Sequence, residues 1–199
     1  DFRPIRKKSP LFLYCGSVRL GRNLALVEIA DALKAIDPTF SLSVYSSETD
    51  EDVCAPLISH PNINFGGRIG YESVVKMIAD CDVFVIAEGF RDKDLLFTRY
   101  SLSTKAADGL ASGAAVLTYG PSDAGVVEYM ADTKGSAVCS EKTNLVAVIK
   151  RLVEDTQFQY ELYENAEITS RNNHSILSST HSFKQVVNDA IHSYKKGNH

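Results

Sequence analysis

Short apolar runs alternate with stretches of helical periodicity along almost the whole chain, and no other feature limits its possible folds so tightly. Residues 11–15 (LFLYC), 83–87 (VFVIA) and 115–118 (AVLT) are nearly uninterrupted apolar runs of strand length. Residues 41–46 (SLSVYS), 62–65 (NINF) and 136–139 (SAVC) add three weaker candidate strands. Between the first two strands, Leu24, Val27, Ile29, Ala30 and Leu33 recur at helical spacing until Asp37-Pro38 stops the pattern. A weak helix follows the acidic residues 48–52, and further helices are expected over 71–80, 102–112, 124–130, 144–155 and 157–169. A last one covers 183–195, after the polar break 170–180, while the mixed-charge stretch 88–100 reads as a loop. Strands that alternate with helices pair in parallel, and a strand such as VFVIA has no polar side because both of its faces are covered. The pattern predicts a doubly wound, Rossmann-like α/β domain of about six strands with helices on both faces, plus C-terminal helices.

In such a sheet the ligand lies beyond the carboxyl ends of the strands, where the strand order reverses. The loops that matter therefore follow Cys15, Phe65, Ala87 and Thr118. A length of 199 residues suits one large domain with a tail. The division expected is a flexible lead or interdomain linker over 1–10, the ligand-binding domain over 11–169 and a helical segment over 170–199. The net charge of −4 argues against a nucleic-acid partner, which requires a basic surface. A small anion needs only local cations and backbone N–H groups. Cys15, Cys54, Cys81 and Cys139 form no C-x-x-C pair, and a reduced, cytoplasmic protein is the simplest reading. No apolar run reaches the ~18 residues of a membrane-spanning helix.

The loop Gly16-Ser17-Val18-Arg19-Leu20-Gly21-Arg22-Asn23 has P-loop glycine spacing, but Arg22 replaces the lysine and Asn23 the metal-binding hydroxyl. G-x-G-x-x-G is absent as well. What the loop keeps is the generic anion-binding chemistry of glycines, a helix start and two cations, with solvated arginines in a plain turn as the alternative. Around the helix start Leu102-Ser103-Thr104-Lys105, a serine can cap the helix and leave first-turn N–H groups free. Lys105 is an odd residue there, because the helix N-terminus repels a cation. A bound diphosphate would resolve the conflict, and Asp108, one turn on, could accept hydroxyl hydrogen bonds. The alternative is an exposed helix start with an ordinary Lys-Asp pair. A third turn-rich loop, 120–125, opens the helix that carries Glu128. His60, His174, His181, His192 and His199 show no metal-ligand spacing, no Ser-His-Asp order is present, and no catalytic residue emerges.

Taken together, YCGSVRLGRN, NINFGGRI, MIADCDVFVIA, SLSTKAADGLASGAAVLTYG and AGVVEYM, in this order between residues 11 and 155, resemble the C-terminal, donor-binding domain of GT-B glycosyltransferases. The likeness is to the retaining, family-four-like "glycosyl transferases group 1". It implies that Arg22 and Lys105, with Arg19, Gly16 and the Leu102–Thr104 helix start, hold the diphosphate of a nucleotide sugar such as a UDP- or GDP-sugar. It implies that Asp108 takes the place of a ribose-binding glutamate and that the base lies near Gly67, Arg68 and Ile69. The family's glutamate toward the donor sugar falls at Tyr100, which cannot reproduce a carboxylate; Glu128 belongs to the same vicinity. No metal or cofactor is implied beyond the donor substrate. A whole enzyme of this type adds an N-terminal acceptor-binding domain, for which the chain has no room, and sits in the cytoplasm or peripherally at the inner face of the membrane. The chain is then the donor-binding half of an enzyme that adds sugar to a polysaccharide, lipid-linked or similar glycan. The alternative is a non-catalytic nucleotide- or partner-binding module of the same fold. A nucleotide-sugar epimerase of similar architecture comes third.

Overall fold

The computed structural model of the protein describes residues 2–197. Among them six strands form one parallel sheet: β1 (Phe12–Cys15), β2 (Leu42–Tyr45), β3 (Ile63–Gly67), β4 (Val83–Ala87), β5 (Ala115–Tyr119) and β6 (Ala137–Cys139). Their order across the sheet is β3-β2-β1-β4-β5-β6, the doubly wound arrangement that the apolar runs predict.

The alternation of side chains along each strand explains why both faces are buried. Phe12 and Tyr14 of β1, with Val83, Val85 and Ala87 of β4, enter one core cluster, beside Leu26, Ile29 and Leu33. Leu13 and Cys15, with Phe84 and Ile86, enter the cluster on the opposite face, beside Ala106, Leu110 and Met130. The helices that supply these residues are α1 (Arg22–Ile36) for the first cluster and α5 (Thr104–Ala111) and α6 (Gly125–Thr133) for the second. Also on the first face is α7 (Leu145–Glu154), with Ile149 and Leu152 buried.

The remaining helices are α2 (Glu51–Ile58), α3 (Tyr71–Asp80), α4 (Asp92–Thr98), α8 (Thr156–Asn173) and α9 (Ile176–Gly197), and one 3-10 turn precedes α7. Three features of the helices differ from expectation. The stretch read as a loop contains α4, because its pattern is inverted: Asp94 is buried while Leu96 and Phe97 are 82% and 69% exposed. Arg91 satisfies the buried Asp94 with two hydrogen bonds of 2.6 and 2.9 Å. The helix expected from Leu102 begins instead at Thr104, with Ser103 as its cap. The polar break expected over 170–180 shrinks to the two residues between α8 and α9, with His174 closing α8.

Residues of the N-terminal lead lie against the domain. Ile5 is buried and donates its N–H to Gln159 Oε1 at 3.1 Å. Arg6 reaches Asp82, whose other role is to accept the N–H of Leu11 at 2.7 Å. At the opposite terminus, α9 is exposed along its described side chains apart from the partly buried Ser178, and the exposed ones include Ile176, Leu177, Phe183, Val186, Val187, Ile191 and Tyr194. No helix among the described residues is long and apolar enough to cross a membrane.

Candidate functional site

The strand order reverses between β1 and β4, and these strands part company early. Their register holds only at Phe12↔Val83 and Leu13↔Phe84, although both strands continue past it. The carboxyl ends therefore open a crevice at the switch point. A cleft of about 590 Å³ lies there, lined by Gly16, Ser17, Tyr45, Arg68, Thr104, Lys105 and Asp108 among others.

Lys105 is its central cation. The amine lies so close to Gly16 that a methyl group on that residue would sit 2.8 Å from Nζ. Gly16 also has φ +148, a conformation L side chains rarely adopt. Nζ stands 5.5 Å from the centre of the buried Tyr14 ring, a cation–π distance. Burial lowers the lysine pKa, and the neighbouring Arg22 lowers it further, with Glu88 opposing. Among the ion pairs of the described residues, none involves Lys105. At the start of α5 the Ser103 hydroxyl accepts the Lys105 N–H at 3.3 Å and the Ser103 carbonyl that of Ala106 at 2.9 Å. The helix thus begins at the cleft, with its positive end beside the amine.

The start of α1 is built differently. Its cap, Gly21, has φ 73 and follows Leu20 at φ 56. The loop folds back on the helix, so the Arg22, Asn23 and Leu24 N–H groups bond to the Arg19, Val18 and Gly21 carbonyls. Those donors are used internally rather than offered to a ligand. Asn23, in the hydroxyl position of the P-loop-like spacing, donates its side chain to the Val53 carbonyl at 2.9 Å.

Arg22 turns to a carboxylate the sequence reading missed. Glu88 follows β4 directly and accepts Nε and Nη2 of Arg22 at 2.8 and 2.7 Å. The two side chains are 13% and 3% exposed, so this is a buried pair, and removing either partner costs about 3–5 kcal/mol. Burial raises the Glu88 pKa, against the lowering effect of Arg22. A charged residue ending an otherwise apolar strand was the available signal; its partner lies 66 positions away in the chain.

The structure thus brings together Gly16, Thr104, Lys105, Asp108, Arg68 and Ile69, all lining one cleft. Gly67 is not in the lining; it ends β3 just before Arg68, at φ 67, and its carbonyl accepts the Ser46 N–H at 3.0 Å. Gly66 accommodates the Tyr45 ring, which lies where a Cβ would stand, and the β2–β3 register shifts there. Arg22 is outside the lining, held by Glu88, and Arg19, also outside it, pairs with the lining residue Glu48 and with Asp50. Ser103 acts as the α5 cap, and Leu102 is half exposed outside the lining. Tyr100 is 95% exposed. Its segment crosses the start of α6, where a Cβ on Gly125 would lie 2.9 Å from the Arg99 carbonyl, and Arg99 pairs with Asp123 at 2.7 Å. Glu128, on the first turn of α6, is exposed and outside the cleft.

His60 is bonded to Asp31 and His174 to Tyr129, away from the cleft, and His199 lies outside the described residues. Among the described residues no three His, Cys, Asp or Glu side chains gather as a metal site.

The doubly wound sheet places a cationic cleft at its switch point, the position at which open α/β sheets bind ligands. No protein-family model and no curated protein sequence matches the chain. Solved structures do. The C-terminal domain of a glycosyl transferase group 1 family protein, LpcC of Francisella tularensis, superposes with a TM-score of 0.62 at 16% identity, covering 86% of this chain and 89% of that one. A glycosyltransferase of Rickettsia africae gives 0.69 at 16% identity, covering 92% of this chain and 48% of that one. HepE of Anabaena, solved with UDP-glucose, gives 0.65 at 14% identity, covering 90% of this chain and 49% of that one. The chain therefore has the fold of the C-terminal domain of GT-B glycosyltransferases, and it spans about half the length of the longer structures it matches.

Proposed function

We propose that the chain is the donor-binding half of a retaining glycosyltransferase and that its cleft holds the diphosphate of a nucleotide sugar. The observation that carries this reading is the Lys105 amine, without an ion-pair partner among the described residues and packed on Gly16 at the switch point beside the start of α5. A partly buried cation at the positive end of a helix is unfavourable in isolation, and a polyanion reverses that balance. Lys105 and the first turn of α5 hold the diphosphate, and Arg22 lends charge from behind. Asp108 accepts the ribose hydroxyls, and the base lies along Gly67, Arg68 and Ile69. As the bond to the donor sugar breaks, negative charge grows on the departing diphosphate, and fixed cations in a sheltered cleft stabilise it. This role requires no metal.

Transfer to a polysaccharide, lipid-linked or similar glycan takes place only with a second, acceptor-binding domain, toward which residues 170–199 pack. Two observations support that arrangement: the bare apolar side chains of α9 and the half-length coverage of longer structures. A non-catalytic binding module is the second reading, favoured by Tyr100, which is exposed and absent from the cleft lining. Calorimetric titration separates the assigned roles. Lys105→Ala is expected to weaken UDP and inorganic pyrophosphate alike, by about ten-fold or more, as for a lost charged hydrogen bond. Asp108→Ala is expected to weaken UDP only. Equal affinities in wild type and Lys105→Ala would remove the diphosphate from this cleft.

A further inference from the structure

Two carboxylates are buried where β1 and β4 diverge. Glu88 carries the Arg22 guanidinium on one oxygen, and Asp94 is clamped by Arg91 with its Oδ2 against Gly21 at the start of α1. Asp94 is matched by its own arginine. Among the described residues Glu88 is the one carboxylate paired with Arg22, while Lys105, which feels Arg22, Glu88 and Asp108, has no ion-pair partner. Glu88 is thus a single buried charge facing both cations, with Asp108 acting on Lys105 from the cleft wall. Arg22 is absent from the cleft lining, so its guanidinium reaches a ligand only by turning away from Glu88.

We infer that Glu88 is an internal counter-ion that the ligand phosphate must displace from Arg22, and that this exchange sets the affinity of the cleft for its anion. The inference rests on the diphosphate reading of the cleft. Glu88 approximates the ligand oxygen that takes its place: a single acceptor on Nε and Nη2. The ligand gains the guanidinium only by breaking a buried pair, so wild-type affinity is lower than the same two cations would give unopposed. Glu88 also keeps Arg22 neutralised between turnovers, which favours product departure. The residue acts on the ligand through Arg22 and touches no reacting atom, so it is a positioning residue.

The test uses the full chain with UDP and with inorganic pyrophosphate. Glu88→Gln keeps the shape and a hydrogen-bond acceptor but removes the charge. Its affinity for both probes is expected to rise by about ten-fold, the worth of a charged hydrogen bond no longer competed for. Added pyrophosphate is expected to raise its melting temperature more than that of wild type, because the anion then supplies the missing counter-ion. The paired change Arg22→Gln with Glu88→Gln is expected to lose the gain. Should Glu88→Gln fail to fold, Glu88→Asp keeps the charge but loosens the contact, and a smaller gain in the same direction is expected. Unchanged or weaker binding in the folded variants, with wild type binding UDP, overturns the inference and leaves the diphosphate reading standing. No binding of either probe by wild type and variants alike overturns both.

Discussion

Gly16 shows how one residue can serve the backbone and the site together. Its φ of +148 disfavours any side chain, and a methyl group would also press on Lys105 Nζ at 2.8 Å. Gly16→Ala is therefore expected to cost about 1–3 kcal/mol of stability, the range for a strained backbone position, and to weaken UDP binding by displacing the amine. Gly70→Ala is the matched control, with nothing near its added methyl group and an expected change within about 0.5 kcal/mol. Denaturant unfolding of both variants checks this; equal losses would mean that Gly16 has no special role. At this scale part of the site was legible from sequence. Lys105 declared itself by conflict, as a cation where a helix start repels one. Glu88 did not, because an acidic residue after a strand is an ordinary loop opening, and its partner is remote in sequence. Arg22 was picked out as a cation at the right loop, but sequence cannot show that a buried carboxylate already occupies it.

At the scale of elements, the crevice depends on two loops fitted against each other. Gly89, after β4, lets the chain pass against the Leu20 carbonyl, and a Cβ there would also sit 2.8 Å from Gly21 Cα. Leu20 and Gly21 are both left-handed, so this turn has little freedom to move aside. Gly89→Ala is expected to destabilise by about 1–3 kcal/mol, as overpacking does, and to weaken anion binding through the Arg22–Glu88 pair next to it. An unchanged unfolding midpoint would contradict that fit. The strands and most helices were legible because two-faced burial leaves continuous apolar runs, and amphipathic helices leave periodic ones. Helix α4 was hidden by the reverse cause: it buries Asp94 and exposes Leu96 and Phe97. The start of α5 was displaced because Leu102 looks like a helix residue, while Ser103, the actual cap, directs the chain only from Thr104 onward.

For the whole molecule, α9 stands apart energetically from the sheet. Its described side chains are exposed apart from Ser178, and it meets little beyond α8, so it contributes little to the core. A chain ended after Ser175 is expected to keep its melting temperature within about 2 °C and to bind less of an apolar dye. A fall of about 10 °C would show that α9 is integral to the domain. The apolar stripe was visible as a helical pattern in the sequence, but only the fold shows that nothing in the described residues covers it. The Rossmann-like order itself followed from the alternation of elements. The position of the crevice followed in turn from the reversal between β1 and β4, where the register ends at Leu13 and Phe84.

The central claim, that this crevice holds a nucleoside diphosphate, is tested most directly by titrating the intact chain with UDP, GDP and ADP while following its thermal unfolding. A ligand that binds only the native state raises the melting temperature by mass action. At least one of the three is expected to do so saturably and with one-to-one heats, and Lys105→Ala to reduce the effect at every ligand concentration. No stabilisation by any of them at millimolar concentration, in a chain shown to be folded, would contradict the account.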